Sequence, residues 1–526
     1  MDLWSSPDPN LHQQCYDPFV NELFALRDGF GSSGRYLPST SSSHFFPPAV
    51  ETPRKKGQRR NTIINTPDGT QRRPITRIPA EVWADILRRC IPSREENDRI
   101  PTLSPRKAPM QLTAITKGLR HIALAMPELW ASISLVPNRD HELPCPETLE
   151  YWLRLSQNLP LTISVSRNRY RGAGDDLEYL FWKLAKWSGK RWEHLYVNPI
   201  GIHGADGRWR RYVFPRLKSV TIQGGIQPPS LPECFKSLVK TSESLRALSW
   251  TDVEPLQFER RSELPLNVSL PLSRLQYLKL SNPLWPSDAL HMLKAAPMLQ
   301  TLEFTALKGI RYTSVIMGTY PTQPIQLLHL RSLSINALKF EEECGQAVRT
   351  SMDDFLPYIF TPNLHSLSVG YNDDQRSPFA ALQSFLTTTR CRLTSLTFSY
   401  APLSSKELHW ILAHLTSAGS LRALAIKAAP QVASPLSNQL TSWMLPSPQC
   451  LVPTLQHFSF NVSALNASSP GAVTNMLKQR CKVRPRFLRS VHFEDLCQVE
   501  SRASTPNEII YIREFAARYR LITTSN

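Results

Sequence analysis

Few residues in this chain have the types and spacing from which catalysis is built. His409 and His414 offer two imidazoles, but five residues of helix set them about 140° apart around the axis, so one face cannot direct both at a metal. Asp353-Asp354 and Asp373-Asp374 bring carboxylates side by side. A general acid and base need opposed placement across a substrate and environments that drive their pKa values apart, so both pairs read as helix caps. Gly29-Phe30-Gly31-Ser32-Ser33-Gly34 spells the dinucleotide fingerprint, yet Leu37-Pro38-Ser39-Thr40 follows where a phosphate-binding helix should open, which makes it a chance match. No Gly-x-Ser-x-Gly elbow, His-Glu-x-x-His helix or Walker loop occurs. Nine cysteines, an odd number without a Cys-x-x-Cys pair, suggest neither a zinc site nor a disulfide framework. The chain is therefore expected to be no enzyme and to hold no cofactor or metal.

The apolar residues instead keep a beat of apolar, any, any, apolar, any, apolar. It starts at Trp192 and recurs from Leu217, Leu245, Leu275, Leu299, Leu330, Leu364, Leu393, Leu421, Leu455 and Leu488, eleven times at intervals of 24 to 34 residues. Such an interval holds one strand, one turn and one short helix, the period of a leucine-rich-repeat solenoid, or horseshoe. A chain of 526 residues exceeds one ordinary core, which agrees with an extended array.

Within each beat the second and third apolar residues should face the core and the residues flanking the middle one should face out. The outward pairs are His194/Tyr196, Ser219/Thr221, Ala247/Ser249, Tyr277/Lys279, Thr301/Glu303, Ser332/Ser334, Ser366/Ser368, Ser395/Thr397, Ala423/Ala425, His457/Ser459 and Ser490/His492. They are mostly small and uncharged. One place earlier stand Lys218, Arg246, Arg331, Arg422 and Arg489, a weak basic rim. Tyr196, Trp209, Tyr212 and Tyr277 are candidate anchors for a protein target, because aromatic residues dominate interface energetics.

A net charge of +18 raises the question of nucleic acid. Residues 1–77 hold ten Lys/Arg and seven Asp/Glu, so about +15 is spread over the rest without a run of five basic residues. A groove for nucleic acid wants Lys, Arg and aromatic faces in its outward rows, and these rows lack them. No apolar run reaches the length of a membrane span and no signal peptide opens the chain, so the reading is intracellular, cytoplasmic or nuclear, with silent sequons at Asn267, Asn461 and Asn466.

Residues 1–75 are rich in Ser, Pro, Gly and Arg and should stay disordered apart from a short helix near 19–26. Arg54, Lys55, Lys56, Arg59 and Arg60 within them form a candidate nuclear signal. From Ile78 the texture changes. Val82, Trp83, Ile86 and Leu87 keep helical period behind Pro79, and a Pro-rich loop follows over 92–109. A second helix is predicted over 110–125, with Leu112, Ile115, Leu119 and Ile122 on one face and Pro127 as its stop. Ser104-Pro105-Arg106-Lys107 in the loop has the form of a proline-directed phosphorylation site.

Residues 78–135 resemble the fungal form of the F-box. The resemblance rests on Ile78-Pro79-Ala80-Glu81, Ile86-Leu87, Arg120-His121-Ile122-Ala123 and Pro127-Glu128-Leu129-Trp130, in that order. Thr116 and Leu119 stand where the family usually has Cys and Trp. A helix near 147–156 followed by Leu161-Thr162-Ile163-Ser164-Val165 resembles the segment that joins such boxes to their repeats.

The resemblance implies an α/β chain in four parts. A disordered tail at 1–75 precedes a short all-helical F-box-like domain at 76–136, an irregular leucine-rich-repeat-like solenoid at 137–500 and a helical cap at 501–526, with its helix near 507–521. It also implies a substrate-recognition subunit of a Skp/cullin/F-box ubiquitin ligase. Ile78, Pro79, Val82, Ile86, Leu87, Ile115, Leu119 and Ile122 would form or support the face docking on a Skp-type adaptor, and through it a cullin, while the repeats hold a target protein. The alternative is a repeat scaffold that binds a protein partner, in the nucleus through the basic cluster, without any ligase.

Overall fold

The computed structural model describes residues 78–90, 108–135, 143–166, 174–197, 212–223, 242–251, 272–281, 284–307, 320–337, 352–371, 377–428, 436–447, 450–461, 464, 471–482 and 488–494. The tail at 1–75 with Arg54, Lys55, Lys56, Arg59 and Arg60, and with them Ser104, Trp209, Asp373-Asp374 and the helix expected at 507–521, lie outside the described residues. The chain divides into two compact units, Met1–Ser134 with Pro144–Leu159, and Leu135–Leu143 with Pro160–Asn526.

The described part of the first unit is built on four helices: α1 (Ala80–Arg89), α2 (Met110–Ile115), α3 (Lys117–Leu124) and α4 (Pro146–Leu155). Pro79 is the N-cap of α1, where a missing N–H costs no hydrogen bond, and Glu81 in the first turn and Arg88 and Arg89 in the last complement the helix dipole.

The single helix expected over 110–125 is two. Thr116 breaks it in an extended conformation (φ −148°, ψ 160°), and its Oγ1 accepts a hydrogen bond from the Leu119 N–H at 3.1 Å. Threonine suits a cap better than a helix interior, and Gly118 further weakens a continuous helix. Arg120 bridges the break by donating Nε–H to the Thr113 carbonyl at 2.9 Å. The expected common face is therefore lost: Leu112 and Leu119 are buried, Ile122 is half-buried and Ile115 is exposed.

A short 3-10 turn, Pro127–Trp130, carries the ring of Trp130 beneath α3, where Nε1–H donates to the Ala123 carbonyl at 2.9 Å. Trp130 meets Trp152 of α4 edge-on, with centroids 4.9 Å apart and planes at 82°. A division at 136 leaves α4 with the repeats, whereas this contact groups it with the first unit.

The second unit is organised by a 13-stranded sheet and a separate two-stranded one. In chain order the strands are β1 (Ser132–Leu135), β2 (Leu161–Val165), β3 (Trp192–Val197), β4 (Ser219–Gln223), β5 (Ala247–Thr251), β6 (Tyr277–Leu280), β7 (Thr301–Leu307), β8 (Ile325–Gln326) and β9 (Ser332–Ala337). They continue as β10 (Ile359–Phe360), β11 (Ser366–Tyr371), β12 (Ser395–Ser399), β13 (Ala423–Lys427), β14 (His457–Asn461) and β15 (Ser490–Glu494). The large sheet runs in sequence order but skips β8 and β10, which pair with each other; β1 enters this unit at Leu135, whose carbonyl accepts from Ser166 N–H.

From β2 to β15 the pairings of the large sheet are parallel. Parallel neighbours need long crossovers, which the intervals between beats provide. Helices α5 (Gly174–Ser188), α6 (Pro286–Lys294), α7 (Phe379–Thr389), α8 (Ser405–Ala418), α9 (Asn438–Trp443) and α10 (Ala472–Lys482) lie within them. The chain is thus a mixed α/β protein with a large parallel sheet and, among the described residues, ten α-helices.

Every beat falls on a strand of this sheet, β3 to β7, β9 and β11 to β15. The leading residues from Trp192 to Leu488 are all buried, as are the second apolar residues from Leu195 to Val491. Register sets like on like: Leu367 stands between Leu333 and Leu396, and Val369 between Ile335 and Phe398. Each buried leucine contributes about 1.5–3 kcal/mol, so the stacked rows are the main cohesive term of the sheet.

The best-formed crossover helix is α8. Its capping box is complete, with Ser404 N–H to Glu407 Oε2 at 2.7 Å and Glu407 N–H to Ser404 Oγ at 3.3 Å, and Gly419 ends it at φ 62°. Leu408, Ile411, Leu412 and Leu415 are its buried face. Asn461, one of the three sequons, is buried; its side chain accepts from the Ala428 and Ala464 N–H groups and donates to the Ala428 carbonyl.

Candidate functional site

In the first unit α1 is two-faced against the usual economy of a folded chain. Leu87 is 2 % exposed and anchors it, whereas Ile78 is 38 %, Val82 47 % and Ile86 39 % exposed. Val82 and Ile86 are four residues apart on α1, a spacing that advances a helix by about 40°, so they form one apolar stripe, and exposed Ile78 and Pro79 immediately precede the helix. Single exposed apolar residues need no explanation; several large ones close together form an exposed apolar patch. Ile115, on α2, is more exposed still, at 56 %. Of the eight residues named from the sequence, Ile78, Pro79, Val82, Ile86 and Ile115 are exposed, Ile122 is half-buried, and Leu87 and Leu119 are inside, able to support a surface but not to touch a partner.

In the second unit the outward pairs stand where alternation puts them, half-buried or exposed on either side of a buried middle residue. Register turns them into two continuous rows across the sheet. One runs from His194 through Ser219, Ala247, Tyr277 and Thr301 to Ser332, and on to Ser490; the other runs beside it from Tyr196 to His492. The same register places His194 Nδ1 2.7 Å from Ser219 Oγ and His457 Nδ1 2.7 Å from Ser490 Oγ, because parallel strands set equivalent positions side by side.

The charges of the rows gather at β6 and β7. Tyr277 OH donates to Glu303 Oε1 at 3.3 Å and Lys279 Nζ lies 3.0 Å from Glu303 Oε2. Burial, and then the Glu303 carboxylate, push the Tyr277 phenol up to about 12, so it stays a neutral donor. This cluster divides the rows. From β9 to β13 they are Ser332, Ser334, Ser366, Ser368, Ser395, Thr397, Ala423 and Ala425, without charge or bulk.

The four candidate aromatic anchors fare differently. Tyr196 and Tyr277 lie half-buried in the outward rows. Tyr212 stacks on Trp182 of α5, centroids 5.5 Å apart and planes at 16°, and so packs against a helix instead of lining the rows. Trp209 lies outside the described residues. Sequence reasoning missed Tyr179 and Trp187, exposed on α5 with Lys183 Nζ held 5.0 Å and 5.3 Å from their ring centres. Their spacing of four on either side of a lysine was the available signal.

The basic rim also has a structural basis. Each residue one place before the outward rows donates its N–H to the equivalent carbonyl of the preceding strand, from Lys218 on Glu193 to Arg489 on Gln456. Lys218 is ion-paired with Glu193, and the Arg246 guanidinium turns back on the Glu243 and Leu245 carbonyls. Arg331, Arg422 and Arg489 are exposed.

Among the described residues no His, Cys, Asp or Glu cluster could hold a metal ion, and no helix is long and apolar enough to cross a membrane. Comparison with models of known protein families and with curated protein sequences finds no match to this chain.

Proposed function

We propose that the chain is a substrate-recognition subunit of a Skp/cullin/F-box type ubiquitin ligase, with the first unit as an F-box-like adaptor module and the second as a leucine-rich-repeat-like receptor for a target protein. The observation that carries the reading is the α1 stripe. Ile78, Val82 and Ile86 face solvent on the segment that resembles the adaptor-binding helix of an F-box, while Leu87 holds the same helix in place. Covering three such side chains on a partner is worth several kcal/mol before the cost of association, about 25 cal/mol per Å2 of apolar surface.

The outward rows support a protein target in this scheme. They are extended, nearly neutral and lined by small side chains, which suits a polypeptide laid across them better than a polyanion. The activity is proximity: the receptor raises the local concentration of target lysines beside a ubiquitin-charged enzyme and itself breaks no bond.

The test is capture of a Skp-type adaptor by the full chain, repeated with Val82→Asp and Ile86→Asp. The reading expects capture by the parent, loss in both variants and unchanged thermal melting, since both side chains are exposed. A folded parent chain that captures no adaptor rejects the ligase and leaves the repeat scaffold without ligase function.

A further inference from the structure

At the leading edge of the sheet lies a cleft of about 510 Å3 lined by Gln300, Leu328, His329, Arg331, Asn363 and His365. It is assembled by the backbone ladder: Arg331 donates its N–H to the Gln300 carbonyl and His365 to the Arg331 carbonyl, both at 2.8 Å, which sets the three residues that precede β7, β9 and β11 in one line. The turns before two beats close it. Asn363 Nδ2 donates to the Leu328 carbonyl at 2.8 Å and ties those turns together, and His365 Nδ1, 2.6 Å from the Asn363 carbonyl, fixes the imidazole with Nε2 turned away from that bond.

The chemistry of the lining is one-sided. Arg331 brings a guanidinium, His329 and His365 bring imidazoles, Gln300 and Asn363 bring amides, and among the described residues no carboxylate lines the cleft. Among the described residues the guanidinium of Arg331 has no acceptor, whereas Lys218 and Arg246 of the same edge are engaged locally. An exposed planar fork with further donors beside it matches an oxyanion, and charge-assisted bonds of this kind are about twice as strong as neutral ones. Leu328, 46 % exposed, adds an apolar wall. The volume exceeds that of a lone phosphate or carboxylate and fits an acidic side chain with an apolar neighbour.

We propose that this cleft is an oxyanion-binding site that takes the phosphoryl or carboxylate group of an acidic peptide, with an apolar residue of the same peptide against Leu328. The neutral rows beside it favour a peptide over a nucleic acid, which needs cations at successive phosphates; the neighbouring rungs Gln276 and Thr394 carry none. The proposal rests on the second unit being a receptor for protein and not on the adaptor.

The test uses the full chain on arrays of degenerate peptides with phosphoserine, glutamate or serine at a fixed central position. One or both acidic sets should be retained at least tenfold better than the serine set, with an apolar preference at a flanking position; which acidic set wins identifies the source of the oxyanion. Arg331→Gln should weaken that binding about tenfold, in line with one charge-assisted contact, and Arg422→Gln, three strands along the same edge, should leave it within twofold. Equal retention of all three sets, no retention of any, equal loss in both variants, or tighter binding of a single-stranded oligonucleotide overturns the proposal. Adaptor capture by Arg331→Gln is measured in parallel. It reports on the α1 stripe alone, so failure of the cleft and failure of the ligase reading are separate results.

Discussion

Gly370 of β11 lies opposite Asn336 of β9, and a Cβ on Gly370 would stand 1.8 Å from Asn336 Oδ1. The glycine is there for space, since the neighbouring strand's amide already occupies the volume its side chain would take. Gly370→Ala should lower the denaturation midpoint by the equivalent of about 1–3 kcal/mol, the usual cost of overpacking. Asn336→Ala in the same chain should restore part of it. Simple additivity in that double-mutant cycle would mean that the two residues do not compete for the space.

Arg480 of α10 is a buried staple. Its guanidinium donates to the carbonyls of Met444, Leu451 and Val452 at 2.8, 2.7 and 3.1 Å, and Nη2 lies 3.2 Å from Cys450 Sγ. Arg480→Met removes a charged donor from three carbonyls and should cost about 3 kcal/mol in stability. Arg480→Lys should recover little, because one ammonium cannot reproduce a planar fork. The local readout is proteolysis between 444 and 452, faster in both variants than in the parent.

Tyr277 sets a pH limit at the alkaline end. Its folded pKa of about 12 stands above the ordinary 10.0, through burial first and Glu303 second. Its contribution to stability is therefore complete below pH 10 and is lost as pH climbs from 10 toward 12, where the unfolded chain releases the proton and the folded chain still holds it. Titration of labelled tyrosine Cζ by NMR should show one late midpoint, displaced downward by Glu303→Gln. An unmoved midpoint would assign the shift to burial alone.

The two faces of α1 predict opposite phenotypes. Leu87→Ala empties a buried site and should cost about 2–5 kcal/mol, whereas Ile86→Ala on the exposed stripe should change stability by about 0.5 kcal/mol or less. Thermal melting and adaptor capture should then rank the variants in reverse order, with Ile86→Ala stable and weak in capture.

Thr116 carries a smaller cost. Thr116→Ala removes the cap on the Leu119 N–H and should destabilise the first unit by about 1 kcal/mol, with Thr116→Ser close to the parent. Equal melting of all three chains would mean that the cap adds nothing measurable.

The elements legible in the sequence are those whose signal is local. Leu195 and Val197 flank an outward Tyr196 in three adjacent positions, and that alternation, repeated eleven times, was enough to place the strands and their buried rows. Ser404 and Glu407 announced α8 from three residues apart. The break at Thr116 was weaker because Leu112, Ile115, Leu119 and Ile122 keep helical spacing straight through it; Thr116 with Gly118 was the only local sign against them.

By itself the sequence determined the parallel ladder, through the spacing of its apolar beat, and the apolar residues at the head of α1. Only the tertiary structure decided which of those residues are free to meet a partner: Ile86 and Leu87 are adjacent and chemically alike, and their environments alone separate a contact from a core residue. It also decided the cleft. Gln300, Arg331 and His365 are 31 and 34 residues apart and share no local pattern. They meet because parallel register sets equivalent positions of neighbouring strands about 4.8 Å apart however long the crossover between them.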